Sequence, residues 1–68
     1  MKRAIPKAPA ARMLSEAGAE RVSDEAADKF ADVLEQVALR IAEKAVRIAK
    51  HSGRKTVKKS DVELAASV

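Results

Sequence analysis

Nothing interrupts the stretch from Asp24 to His51: no glycine and no proline occurs between Ser23 and Gly53. Within it the apolar positions are Ala27, Phe30, Ala31, Leu34, Val37, Ala38, Ile41, Ala42, Ala45, Ile48 and Ala49, with Val33 and Val46 beside them. They recur at i, i+3, i+4 spacing, which predicts one amphipathic helix. Its length is about 28 residues, or roughly 42 Å at 1.5 Å per residue. A stripe that long needs cover along all of it, and the chain has only 68 residues with which to provide it.

The flanks supply two short helices. Pro9 suits a first turn, Met13, Leu14 and Ala17 follow at helical spacing, and Gly18 closes the segment. Ala19 to Val22 form a connector. Ser23 is a good N-cap, and Asp24 and Glu25 put negative charge at a helix start. After His51, Ser52 and Gly53 comes a basic loop or short extended piece, Arg54 to Val57. A last helix is expected over about Lys59 to Ala66, with Ser60 and Glu63 in capping-box spacing and Val62, Leu64 and Ala65 available for burial. The reading is all-α: short helix, long helix, short helix, with residues 1–8 as a flexible basic arm and residues 9–68 as the single domain.

Two flanking helices of two or three turns cannot cover the long stripe, and a core this small supplies only about 3–5 kcal/mol without a staple. There is no cysteine for a disulfide or a thiolate zinc site, and only one histidine. No metal and no other cofactor is expected. The remaining support is a second chain, most simply in a twofold dimer whose long helices cross near their middles. No run approaches the roughly 18 apolar residues of a membrane span, so a soluble, unsecreted chain without membrane partners is expected.

The formal charge of +4 is unevenly distributed. Residues 1–12 carry four bases (Lys2, Arg3, Lys7, Arg12) and no acid, whereas residues 13–39 carry seven acids against Arg21 and Lys29. Residues 40–59 reverse the sign, with eight bases against Glu43. The macrodipole accounts for part of this, since acids favour helix starts and bases helix ends. It does not account for Arg54, Lys55, Lys58 and Lys59, which follow the helix end and form a patch suited to a polyanion.

Two blocks carry a family resemblance: Ala17-Gly18-Ala19-Glu20-Arg21-Val22-Ser23, and Ala49-Lys50-His51-Ser52-Gly53-Arg54-Lys55-Thr56-Val57. Over residues 5–66 the chain resembles an archaeal histone, the minimal, tail-less form of the histone fold. The resemblance implies a handshake dimer that wraps double-stranded DNA without strong sequence preference. It also implies roles for single residues. Arg21 matches the loop arginine that enters the minor groove, and Thr56 the threonine beside it. Lys55 matches a phosphate-contacting lysine, Arg12 an arginine that faces DNA at the dimer centre, and Lys58 a further phosphate contact. Arg54 and Asp61 match a pair that clamps the second loop, with Arg54 itself counted among the DNA-facing residues. Ile48, His51 and Asp61 fall where dimers join into tetramers or longer assemblies. Ser15 stands where many relatives have a basic residue, and Ile48 where leucine is commoner.

The physical logic is compatible: phosphate contacts give affinity without sequence information, and an arginine in a narrow minor groove reads its width. The N–H groups near Ser23, at the start of the long helix, can face a phosphate if the acidic side chains there point away. The expected function is DNA wrapping and compaction on a cytoplasmic chromosome, by a homodimer or a heterodimer with a paralogue. The alternative is a protein-interaction module of a transcription or repair complex in which DNA contact is incidental. An enzyme is not expected, because no nucleophile with a neighbouring base and no glycine-rich phosphate loop occurs.

Overall fold

The computed structural model describes residues 5–67. Helix α1 spans Lys7–Glu16, α2 spans Asp24–His51 and α3 spans Lys59–Ala66, and there is no strand among the described residues. The all-α reading therefore holds, with α2 and α3 at the expected bounds.

The first helix begins two residues before Pro9. Pro6 is its N-cap, in extended conformation with ψ 159°, and Pro9 occupies the third helical position. A missing N–H is harmless anywhere in the first turn, so the helix starts ahead of the proline. Lys7 and Ala8 accordingly belong to α1 rather than to the arm. The arm's other bases, Lys2 and Arg3, lie outside the described residues.

Both connectors start in the same way. The N–H of Gly18 donates to the Ser15 carbonyl at 3.0 Å and that of Ala19 to the Leu14 carbonyl at 3.1 Å. After α2, the N–H of Gly53 donates to the Lys50 carbonyl at 2.9 Å and that of Arg54 to the Ala49 carbonyl at 3.0 Å. This is the Schellman pattern, and it needs a residue with positive φ. Gly18 has φ 120° and Gly53 has φ 74°. Each helix thus stops abruptly and releases the chain into a loop of fixed direction.

The start of α2 is built as expected. Ser23 Oγ accepts the N–H of Ala26 at 3.0 Å, Asp24 and Glu25 occupy the first turn, and Lys50 and His51 the last. The start of α3 differs from expectation. Its N-cap is Lys58, and Asp61 Oδ2 accepts the Lys58 N–H at 2.8 Å, while Ser60 lies inside the helix. Lysine has no acceptor atom, so only this half of a capping box forms. Asp61 takes the part expected of Glu63 because its carboxylate is also drawn to Arg54.

The chain divides within α2 into two compact units, Met1–Gln36 and Val37–Val68. In the first, the buried side chains are Ala10 of α1 and Ala27 and Ala31 of α2. In the second they are Ala45 and Ala49 of α2 with Asp61 and Ala65 of α3. Among the described residues the fully buried apolar side chains are thus all alanines. The larger residues of the predicted stripe fare differently: Phe30, Leu34, Ile41 and Ile48 are half-buried, while Val33, Val37 and Val46 are exposed. On α3, Ala65 is buried but Val62 and Leu64 are exposed.

Candidate nucleic-acid interface

In the second unit the basic loop is tied down by one carboxylate. Arg54 donates from Nη1 to Asp61 Oδ2 at 2.8 Å and from Nη2 to Asp61 Oδ1 at 2.9 Å. The same Nη1 donates to the Thr56 main-chain carbonyl at 3.2 Å. With the Lys58 N–H on Oδ2, Asp61 accepts three hydrogen bonds while only 2% exposed. A two-pronged guanidinium–carboxylate pair is strong and directional, so it fixes both the start of α3 and the course of the loop. The Arg54 hydrogen bonds, followed by that from the Lys58 N–H, hold the Asp61 carboxyl down at about 2 against the opposing effect of burial. Arg54 is pushed up by the same hydrogen bonds.

The clamp consumes Arg54 and leaves its neighbours outward. Lys55, Thr56 and Lys58 are exposed, whereas Arg54 is half-buried with 29% of its side chain accessible. What the structure shows of Thr56 is its carbonyl bond to Arg54. Farther along, Ile48 is half-buried and His51 exposed.

In the first unit Arg21 is exposed in the loop after Gly18, two residues before the exposed cap Ser23, and Arg12 is exposed on α1. The Lys7 Nζ lies 2.9 Å from Asp24 Oδ2. A lysine expected to be part of a basic arm instead pairs with an acid in the first turn of α2. Any phosphate approaching that helix start meets less negative charge as a result.

Comparison with known proteins agrees with this geometry. Residues 3–66 match the family model of histone-like transcription factors (CBF/NF-Y) and archaeal histones. The chain is 54% identical over 61 residues to a probable archaeal histone 3 of Methanocaldococcus jannaschii, covering 90% of this chain and 91% of that one. It is 51% identical over 61 residues to a chain of the archaeal histone HAN1 of Thermococcus zilligii, with the same coverage. The chain belongs to the archaeal histone family.

For an archaeal histone, the three-helix order is the histone fold, and the class is that of DNA-binding chromatin proteins. Among the described residues of this histone, no helix is long and apolar enough to cross a membrane. Two features are not legible in the sequence alone. One is the Lys7–Asp24 pair, whose partners are 17 residues apart and share no helix. The other is the use of Asp61 as the cap-reaching side chain of α3. A signal for it exists, since Lys58 and Asp61 stand at N-cap and N3 spacing, but Ser60 and Glu63 offer the same spacing with better capping residues.

Proposed function

We propose that this chain forms a handshake dimer that binds double-stranded DNA without sequence preference, wraps it and compacts it on the archaeal chromosome. The observation that supports the dimer is the uncovered stripe of α2: Val33, Val37 and Val46 stay exposed, while the fully buried apolar side chains among the described residues are all alanines. The charge pattern supports an antiparallel crossing. Acids dominate α2 up to Glu35 and bases from Arg40 on, so an antiparallel partner sets opposite charges beside each other and a parallel one sets like beside like.

Antiparallel crossing also brings the Arg21 loop of one chain to the Arg54–Lys58 loop of its partner. In that arrangement Arg21 enters the minor groove, and Lys55, Lys58 and Arg12 meet phosphates. Thr56 stands beside Arg21, and the N–H groups following Ser23 offer a further phosphate contact. Arg54 acts on DNA through the loop that it holds. Further dimers, of this chain or with a paralogue, join at the end marked by Ile48, His51 and Asp61. Asp61 has about one of its four acceptor positions left for a histidine of the next dimer.

Nuclease digestion of DNA bound by the purified protein tests this. Protected lengths rising in regular steps are expected from dimers adding along wrapped DNA. No protection would overturn the reading in favour of the second one, an interaction module of a larger complex. That alternative draws on the histone-like transcription factors that share the matching family model.

A further inference from the structure

Lys7 stands at an unfavourable place for a cation. It is the first residue of α1, with Pro6 as N-cap and no acid in the first turn, so its charge lies at the positive end of its own helix. What it meets is Asp24, the first residue of α2: Nζ lies 2.9 Å from Oδ2, across 17 positions of sequence. Stability of the fold does not account for the pair. The two side chains are 44% and 81% exposed, and an ion pair so open to water adds little to folding.

The consequence lies at the start of α2. Ser23 Oγ accepts the N–H of Ala26 and the Ser23 carbonyl that of Ala27, at 3.0 Å each. The N–H groups of Asp24 and Glu25, in the first turn, have no acceptor within the helix. They are the donors that an anion at this helix start would use, two residues or so from the exposed Arg21. Ionised Asp24 is the built-in competitor for them, since its carboxylate is an anion tethered at the end to which the macrodipole draws negative charge. Lys7 holds that carboxylate at α1 and offsets its charge, which leaves the donors to an incoming phosphate.

We propose that Lys7 is a positioning residue for DNA binding: it acts on the phosphate through Asp24 rather than by contact, and keeps the acid-bearing start of α2 usable as a phosphate site. The inference rests on the reading of that helix start as a DNA contact. It explains why a lysine occupies the wrong end of α1, and it gives the Lys7–Asp24 pair a use that its exposure denies it in folding.

The test is a double-substitution cycle in the full chain, read by anisotropy of a fluorescein-labelled DNA duplex of mixed sequence at low salt. With two such sites in a dimer, Lys7→Gln is expected to weaken binding about tenfold, while Lys7→Arg binds like the natural protein. Asp24→Asn is expected to bind at least as tightly as the natural protein. Adding Lys7→Gln to Asp24→Asn should then cost less than about twofold, because the competitor is gone. A lysine that touches phosphate itself would cost the same in both backgrounds, and that result overturns the proposal. A pair that only ties α1 to α2 would make Asp24→Asn as weak as Lys7→Gln, which overturns it too, as does unchanged binding by Lys7→Gln. A natural protein that fails to bind the duplex strikes down the DNA reading along with this inference; one that binds leaves the DNA reading standing whatever the cycle shows.

Discussion

Asp61 connects three parts of the chain through one carboxylate. It holds the Arg54 guanidinium, caps α3 through the Lys58 N–H and, by fixing Arg54, holds the Thr56 carbonyl. Its carboxyl sits below the ordinary range, at about 2. A depressed carboxyl contributes stability that is fully present above the unfolded value and lost as pH falls through the folded one. Thermal unfolding should therefore show a falling Tm between about pH 4 and pH 2, and Asp61→Asn should lower the Tm at neutral pH and flatten that acid limb. A limb of equal steepness in the variant would show that other carboxylates cause it. Arg54→Lys should also be less stable, because an ammonium cannot make two parallel bonds to one carboxylate. The pair is legible as a family resemblance, but its second use as the α3 cap is not. Ser60 and Glu63 offer a full capping pair and Lys58 and Asp61 only half of one, and it is the position of Arg54 that favours the half.

At the scale of the elements, the ends matter more than the middles. Apolar period alone marks α2, whereas its limits rest on Ser23 at one end and Gly53 at the other. Ser23→Ala removes the acceptor for the Ala26 N–H and should cost about 1 kcal/mol in urea denaturation. Gly53→Ala meets no neighbouring atom within 4 Å, so its cost is conformational, about 1–2 kcal/mol for an L-residue at φ 74°. Gly53→Asn should cost less, because asparagine tolerates that region better. If the two variants unfold alike, the positive φ is not what Gly53 supplies. The start of α1 is the least legible boundary. Proline is acceptable throughout a first turn, so Pro9 cannot say which turn position it holds, and Lys7 reads as arm until its place in the helix is seen.

For the whole molecule, the question is whether one chain is a stable unit. Among the described residues the fully buried apolar side chains are six alanines, which argues for the proposed dimer, and that dimer predicts a Tm that falls on dilution. Each tenfold dilution shifts the balance by about 1.4 kcal/mol per dimer. Val37→Asp separates the cases further: on a monomer surface it stays within about 0.5 kcal/mol, but at a helix crossing it buries an unpaired charge and should abolish the dimer in sedimentation. On DNA, Lys55→Ala should reduce the slope of log affinity against log salt by about 0.9 if it neutralises one phosphate. An unchanged slope would remove Lys55 from the interface. Helix order and the two glycine stops were determined by the sequence by itself, because each follows from local period or local φ; the imbalance between stripe length and available cover is the sequence's argument for the proposed dimer. What only the tertiary structure decided is which charges are spent within the chain and which face outward. Lys7 and Arg54 are spent on Asp24 and Asp61, while Lys55 and Lys58 remain exposed. That choice depends on distances between side chains far apart in sequence, which no helical period encodes.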